Sequence, residues 1–333
     1  MTRFERAARG VALAMLLSLA AANAQTAAPG EWLKRAPMSM GVRTEPGVVA
    51  LDGKVYVLGG STKDVDDLAT AEAYDPGADK WSAIASMPAG VNHNSAVAMN
   101  GKIYSIGGFS GRPPGFSGPR VHQGAEAHAF EYNPATNAWR ALAPMKAPRG
   151  SVGVAALDGK IHAIGGRGRD VKTVRTHEVW DPATNQWSES AQLPTARDHM
   201  ATLAVNGVIH VIGGRLNERD DNVVNHDIYD PRTDSWSAGP PVPTARSGGQ
   251  FALLGNLIVF YGGETPKSTF TENEAFDLKA GRWITLAPGP TGLHASAGAA
   301  VGDSVYYPGG STGPGGDAIT DQLLVFRLRG PGQ

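Results

Sequence analysis

A pair of adjacent glycines recurs six times along this chain at a nearly constant interval. The pairs are Gly59-Gly60, Gly107-Gly108, Gly165-Gly166, Gly213-Gly214, Gly262-Gly263 and Gly309-Gly310, at successive spacings of 48, 58, 48, 49 and 47 residues. A repeat of roughly 40 to 50 residues that carries its own short strands is typical of a β-propeller with one unit per blade. The interval therefore predicts an all-β, six-bladed propeller.

Each unit also carries its own turn and strand signals. Asp158-Gly159 separates two short apolar runs and predicts a tight hairpin, because both turn residues need positive φ. Equivalent turns occur at Asp52-Gly53, Asn100-Gly101, Asn206-Gly207, Gly255-Asn256 and Gly302-Asp303. After the glycine pair comes a loop of variable length, then a strand that in four units ends in an aromatic residue and Asp-Pro or Asn-Pro. A tryptophan then opens the outermost strand, at Trp81, Trp139, Trp187, Trp236 and Trp283.

The sixth unit ends without such a tryptophan, and the missing strand is found at the other end of the chain. Residues 31–37, which include Trp32, match the tryptophan strand of the other units. We therefore expect the N-terminal strand to complete the C-terminal blade, which leaves the ring no exposed edge. The predicted blades span about residues 43–87, 91–145, 149–193, 197–242, 246–289, and 293–328 together with 30–37.

The glycine pair, the aromatic-Asp-Pro sequence, the spaced tryptophan and an arginine before the inner strand together resemble the kelch repeat. The resemblance covers about residues 31–328. It implies a kelch-type propeller, a fold used by cytoskeletal and ubiquitin-ligase adaptors, a sialic acid mutarotase and the copper enzyme galactose oxidase. The fold alone does not fix the function. Galactose oxidase-type radical chemistry is excluded, because it needs a cysteine and the chain has none.

Residues 1–24 have the pattern of a secretory signal peptide. Arg3, Arg6 and Arg9 precede an apolar run at residues 11–21, and Ala22-Asn23-Ala24 supplies a small-residue cleavage site. The apolar run is too short to span a bilayer. We therefore expect a periplasmic or secreted protein with no membrane span, whose mature chain begins at Gln25 and forms a single propeller domain over residues 25–333.

The charge balance and the motifs exclude several classes of partner. Removing residues 1–24 takes away three of 30 Lys/Arg and one of 31 Asp/Glu, which leaves 27 minus 30, or −3. A nucleic-acid-binding protein would need a basic excess, so we expect no nucleic-acid partner. The sequence contains no phosphate loop, no dinucleotide fingerprint and no recognised metal-ligand spacing, so we expect no cofactor and no metal.

The candidate binding residues lie on one face of the propeller. The start of each inner strand and each variable post-glycine loop share a face, called here the loop-bearing face, and functional residues concentrate on such loops. The positions sixteen residues before each first glycine are Arg43, Val91, Arg149, Arg197, Arg246 and Leu293. We expect the four arginines, with His93 and His294 beside them, to ring the channel mouth and bind an anion. The alternative is a scaffold role, in which these arginines pair with third-strand acids at Glu72, Glu178, Asp227 and Glu274.

Two functions follow as hypotheses. The first is a monomeric binding module that recognises an anionic carbohydrate or a protein partner through the loop-bearing face. The second, implied by the resemblance, is a sialic acid-type mutarotase or epimerase, which needs a general acid and a general base. Its candidate residues are Glu264, His199 and His294. The long loop of blade two, residues 109–122, is either a lid over the channel or a plain excursion.

Overall fold

The protein is described by a computed structural model over residues 28–111 and 124–328, which contain 24 β-strands and one short 3-10 helix, Pro314–Gly316. The predicted signal peptide and residues 112–122 of the blade-two loop lie outside the described residues.

Each blade consists of four strands in chain order, except blade six. Blade one contains β2 (Gly47–Leu51), β3 (Lys54–Leu58), β4 (Ala71–Asp75) and β5 (Lys80–Ile84), and blade two contains β6 (Ser95–Met99), β7 (Lys102–Ile106), β8 (Ala129–Asn133) and β9 (Ala138–Ala141). Blade three contains β10 (Gly153–Leu157), β11 (Lys160–Ile164), β12 (His177–Asp181) and β13 (Gln186–Glu189), and blade four contains β14 (Ala201–Val205), β15 (Val208–Ile212), β16 (His226–Asp230) and β17 (Ser235–Ala238). Blade five contains β18 (Gln250–Leu254), β19 (Leu257–Tyr261), β20 (Asn273–Asp277) and β21 (Arg282–Thr285).

The sixth blade is assembled from both ends of the chain. It contains β22 (Ala299–Val301), β23 (Ser304–Pro308) and β24 (Leu323–Arg327), and its outermost strand is β1 (Glu31–Arg35). Strand β1 pairs antiparallel with β24, with Trp32 opposite Phe326. The predicted six-bladed ring and its closure by the N-terminal strand are confirmed.

The glycine pairs join neighbouring blades. Both glycines of each pair have positive φ, for example 64° at Gly59 and 93° at Gly60, and a Cβ on Gly60 would lie 2.7 Å from the Thr44 carbonyl oxygen. The N–H of each second glycine donates to a carbonyl at the start of the next blade. These six bonds are Gly60 to Val91, Gly108 to Arg149, Gly166 to Arg197, Gly214 to Arg246, Gly263 to Leu293 and Gly310 to Arg43, at 2.8–3.0 Å. The sixth bond, from blade six to blade one, closes the ring. The glycine pairs recur once per blade because each pair makes one contact with the next blade.

The tryptophans of the outer strands join the blades at the rim. Each indole Nε1–H donates to a backbone carbonyl just after the outer strand of the preceding blade. The pairs are Trp81 with Ala36, Trp139 with Ala85, Trp187 with Ala143, Trp236 with Ala191, Trp283 with Pro240 and Trp32 with Ala287, at 2.7–3.0 Å. Trp32 makes the same bond as the other five, so β1 acts as a regular outer strand.

The hydrophobic core lies between adjacent blades and not within any one of them. One buried cluster, for example, contains Tyr104 and Ile106 of blade two together with Ile161, Trp180 and Trp187 of blade three. The inner strands surround a central cavity of about 370 Å³. In residues 28–111 and 124–328, no helix is both long and apolar enough to cross a membrane.

Candidate functional site at the channel mouth

Six structurally equivalent residues, one from each blade, surround the channel where the inner strands begin. This axial ring consists of Glu45, His93, Ser151, His199, Gly248 and Ala295, and all six line the cavity and have φ between 50° and 65°. The N–H of His93 donates to the Glu45 carbonyl at 2.8 Å, and four further bonds of this kind link neighbouring members of the ring. Left-handed backbone at non-glycine residues is uncommon and costs energy. The ring therefore holds these side chains in fixed positions around the axis.

The four arginines predicted for the mouth are buried in the blades. Arg43, Arg149, Arg197 and Arg246 are at most 1% exposed. Each guanidinium donates to the carbonyl of the first glycine of its own pair, at 2.7–3.1 Å, which explains the spacing of sixteen residues. Each also lies against the predicted third-strand acid: Glu72, Glu178, Asp227 and Glu274, respectively. This arrangement favours the scaffold alternative over a ligand-facing ring, because these donors are already used inside the protein.

The two units that lack the arginine support the same interpretation. Val91 occupies the arginine position of blade two, and Phe130 occupies the position of the third-strand acid. In blade six the corresponding residues are Leu293 and Leu324, both fully buried. The cation and the carboxylate are thus replaced together by an apolar pair. The departures at Val91 and Leu293 are therefore explained by packing inside the blade.

A second set of charged side chains does lie at the mouth, and most of its members directly follow a glycine pair. Arg215 Nη1 is 2.9 Å from Glu264 Oε1, and Arg215 Nε is 3.3 Å from Asp198 Oδ1. Arg167 Nε contacts the other oxygen of Asp198 at 2.6 Å. Burial acts to raise the pKa of Asp198, but His199, Arg215 and Arg167 outweigh it and hold that pKa well below its ordinary value. This network crosses from blade three to blade five.

The structure brings the three candidate acid/base residues together in this network. His294 Nδ1 is 3.6 Å from Glu264 Oε2, and Arg215 Nη2 is 3.0 Å from His199 Nε2. Burial acts to raise the pKa of Glu264, but His294 and Arg215 lower it further than burial raises it, so the carboxyl is ionised at neutral pH. Glu264 is only 4% exposed. Binding or catalytic roles for these residues stay predictions.

His93 and Glu45 form a further pair on the axis. His93 Nε2 is 3.2 Å from Glu45 Oε1, and the His93 and His199 rings meet edge to face with their centroids 5.3 Å apart. Burial acts to raise the pKa of Glu45, but His93, His199 and His294 hold it well below its ordinary value. Glu45 was missed in the sequence because an acid two residues after an arginine is unremarkable until the ring brings it beside histidines from other blades.

The outer surface of the loop-bearing face carries exposed apolar side chains. In the described part of the chain, the large hydrophobic residues that are at least 40% exposed are Met40, Val42, Val65 and Val224. All four lie in post-glycine loops or in the linker that enters blade one, and these segments belong to the loop-bearing face. The neighbouring exposed charges have both signs, as in Lys63 and Asp64. The face is therefore mixed in charge and not basic.

Comparisons with known proteins agree with the architecture. A sequence profile of the Kelch motif matches residues 43–88, 92–146, 148–194 and 196–243, which together make up more than half of the chain. The solved structure of YjhT has a TM-score of 0.71 at 18% identity, covers 85% of this chain and 94% of its own, and has the same fold.

Curated relatives are longer than this chain. The kelch-like protein terF of Aspergillus terreus is 29% identical over 309 residues, which are 89% of this chain and 54% of that protein. Kelch-like ECH-associated protein 1A of Danio rerio is 34% identical over 113 residues, which are 34% of this chain and 17% of that protein. The chain thus spans about half or less of the length of these curated relatives.

Proposed function

The chain belongs to the kelch-repeat β-propeller family, and from this premise we propose that it is an exported binding module that holds a protein partner on its loop-bearing face. The observation that carries the proposal is the position of Met40, Val42, Val65 and Val224, the most exposed large hydrophobic side chains of the described residues. Met40, Val42 and Val65 lie in blade one and its entry linker, Val224 lies in blade four, and all four share the loop-bearing face. Exposed apolar groups with mixed charges around them are a feature of protein interaction sites. An anionic carbohydrate has less support, because the four arginines expected to bind it are paired inside the blades.

A cross-linking experiment tests this assignment directly. A photoreactive residue is placed at Val65, on the loop-bearing face, or at Ala78, which is exposed in the turn between β4 and β5 on the opposite face. We expect a discrete cross-linked product from position 65 in cells that express the full chain, and none from position 78. Adding Met40→Ser and Val42→Ser should reduce the yield at position 65. Equal products from both faces, or a product from position 78 alone, would contradict the proposal.

The same cells test export. We propose that residues 1–24 are removed during translocation, on the basis of the arginines, the apolar run and the small residues described above. The chain recovered from the periplasm or the medium should therefore begin at Gln25, as read by intact mass. A chain that keeps residue 1 and stays in the cytoplasm would contradict this part of the proposal.

Acid/base chemistry on a sugar is a second candidate, favoured by the contact between Glu264 and His294. His294 Nε2 lies 2.8 Å from the Gly313 carbonyl, so it must donate, and a second proton, on Nδ1, would face Glu264 at 3.6 Å. Ring opening requires removal of the proton from the anomeric hydroxyl and delivery of a proton to the ring oxygen. Glu264, ionised and buried, could remove the first proton, and a protonated His294 could deliver the second. The low exposure of Glu264 requires the blade-six loop to open, so binding remains the first proposal.

The second candidate makes its own prediction. If it holds, the full chain should accelerate anomer exchange of N-acetylneuraminic acid, measured by NMR exchange spectroscopy, and Glu264→Gln should lower that rate by about 10²–10⁴-fold. His128→Gln, which lies outside the network, serves as the control and should leave the rate unchanged. A wild-type chain that does not exceed the uncatalysed exchange rate would remove this candidate and leave the binding proposal intact.

A further inference from the structure

We propose that Glu45, His93 and His199 form a binding site for one divalent transition-metal ion of the zinc class on the propeller axis. Within residues 28–111 and 124–328, these are the only three His, Cys or acidic side chains whose candidate ligand atoms all lie within 4.8 Å of one another. Two imidazoles and one carboxylate are a recognised ligand set for zinc, with a fourth position left for water or substrate. The ligands come from blades one, two and four, so no local sequence spacing could reveal them.

The contacts of His199 place its proton on Nδ1 and make Nε2 an acceptor. Asp198 Oδ1 lies 2.8 Å from His199 Nδ1, and since an ionised carboxylate only accepts, Nδ1 must carry the proton. Arg215 Nη2 lies 3.0 Å from His199 Nε2, and since a guanidinium only donates, Nε2 must accept. The tautomer is therefore the one a metal needs at Nε2. A carboxylate behind the remote nitrogen is the arrangement that orients histidine ligands in metal sites.

His93 is oriented in the same way by Asn92. Asn92 Nδ2 donates to the Asp66 carbonyl at 2.8 Å, which turns Asn92 Oδ1 toward His93 Nδ1 at 2.5 Å. His93 Nδ1 must therefore donate, and Nε2 of the neutral ring presents a lone pair to Glu45 Oε1 at 3.2 Å. Two acceptors at this distance repel each other unless a cation lies between them. A proton on His93 or a metal ion meets that need, and a metal ion would in addition use Nε2 of His199.

The charges around the site also suit a dication. Three carboxylates, those of Glu45, Asp198 and Glu264, and two guanidinium groups, those of Arg167 and Arg215, are each less than one-fifth exposed. Among the described residues around the site, the buried carboxylates therefore outnumber the buried guanidinium groups by one, and the half-exposed Arg219 lies 3.9 Å from Glu264. Glu45, which would bind the ion directly, supplies a negative charge at the site itself. On binding the metal, His199 Nε2 would exchange its contacts with Arg215 Nη2, at 3.0 Å, and with Ser151 Oγ, at 3.4 Å, for the ion.

The separations of the donors set how far the side chains must move. Ligands of a tetrahedral zinc ion, at about 2.0–2.2 Å from the metal, lie roughly 3.4 Å apart. The contact between His93 Nε2 and Glu45 Oε1 already meets this distance. Because all the donors lie within 4.8 Å of one another, no pair has to close by more than about 1.4 Å to reach this geometry.

The test is a metal titration of the full chain after treatment with EDTA and desalting. Co²⁺ is added and followed by its visible absorption, and Zn²⁺ is then added as a competitor. We expect one Co²⁺ per chain, displaced by one Zn²⁺. Glu45→Gln, His93→Gln and His199→Gln should each weaken Co²⁺ binding by about 100-fold or more, and Asn92→Ala, which removes only the positioning contact, by about 10–100-fold. His128→Gln, a histidine outside the axial ring, should bind as the wild type does.

Several results would overturn the site. Binding of more than one Co²⁺ per chain, or affinity unchanged in Glu45→Gln, would identify adventitious metal on surface groups. Absence of the cobalt band, combined with an NMR titration showing His93 as an imidazolium at neutral pH, would assign the cation between His93 and Glu45 to a proton. Melting curves of each variant show that it is folded, and Asn92→Ala keeps the test decisive if a ligand variant fails to fold.

Discussion

Replacing Arg197 with leucine should destabilise the propeller by about 3–5 kcal/mol, one of the two largest effects expected in this chain. The side chain is fully buried, and its guanidinium bonds to the carbonyls of Thr195, Val211 and Gly213 and to the Asp227 carboxylate at 2.6 Å. Leucine fills part of the volume but leaves Asp227 as a buried charge without its counterion. Urea unfolding monitored by tryptophan fluorescence measures the change in the free energy of unfolding.

The chain itself supplies the matched control. Blade six has Leu293 and Leu324 where blade four has Arg197 and Asp227. The double variant Arg197→Leu with Asp227→Leu should therefore recover most of the stability that the single variant loses, because replacing a buried ion pair with apolar residues is often close to neutral. If the single variant instead stays within 1 kcal/mol of the wild type, the arginine is not a scaffold residue and its role as a ligand-binding group should be reconsidered.

Most of the fold could be predicted because its determinants repeat. The glycine pairs and the tryptophans each make one inter-blade hydrogen bond per blade. The residues needed for these bonds therefore occur six times in the sequence. The closure by β1 could be predicted for the same reason. The sixth unit has no tryptophan of its own at the C-terminal end, and residues 31–37 supply one with Trp32. A pattern repeated at each blade reports what the scaffold needs.

The arginines show how that logic misleads about function. The prediction of a binding role rested on the recurrence of an arginine at Arg43, Arg149, Arg197 and Arg246. A residue that recurs at the same position in most blades is, however, expected to stabilise each blade. The residues that distinguish one blade from another are those that can make a site. The axial-ring position holds glutamate in blade one and histidine in blades two and four, whereas the other three blades have the small residues Ser151, Gly248 and Ala295.

The site itself could be predicted only in part. The positions of Glu264, His199 and His294 beside a glycine pair or the start of an inner strand predict them as candidates, and the structure brings them together through Arg215. Glu45 and Asp198 are not predicted as candidates, because their importance depends on contacts between blades. Distances across the axis of a ring are set by all six blades together, and no local spacing records them.

Acidification from pH 6.5 to pH 5.0 should remove on the order of 5 kcal/mol of stability, because blades three and four each bury a pair of neutral histidines. His162 Nδ1 lies 2.9 Å from His177 Nε2, and His210 Nδ1 lies 2.8 Å from His226 Nε2. Burial, with a further contribution from His177, lowers the pKa of His162 to about 3, and burial lowers that of His177 to about 4. Burial, with a further contribution from His226, lowers the pKa of His210 to about 4.

The sign of the effect follows from the proton balance. In the unfolded chain these histidines have a pKa near 6.5 and take up protons below it, whereas in the folded chain His162, His177 and His210 stay neutral down to about pH 3–4. Burial also lowers the pKa of His226. The unfolded state therefore binds more protons in this window, and stability falls as the pH falls. Each of these histidines binds up to one more proton in the unfolded state than in the folded state, so each adds a slope that approaches about 1.4 kcal/mol per pH unit below pH 6.5. The carboxylates with lowered pKa, such as Asp198, contribute mainly below pH 5, so this window isolates the histidines.

Blades one and two provide the variant that tests this origin. Tyr56 and Ala71 in blade one, and Tyr104 and Ala129 in blade two, occupy the positions of His162 and His177. His162→Tyr with His177→Ala should therefore keep the packing and roughly halve the dependence of the unfolding free energy on pH between 6.5 and 5.0. Some slope should remain, because the second pair is intact and burial with Arg215 also lowers the pKa of His199. An unchanged slope in this variant, measured by urea unfolding at each pH, would place the acid sensitivity in the network at the channel mouth.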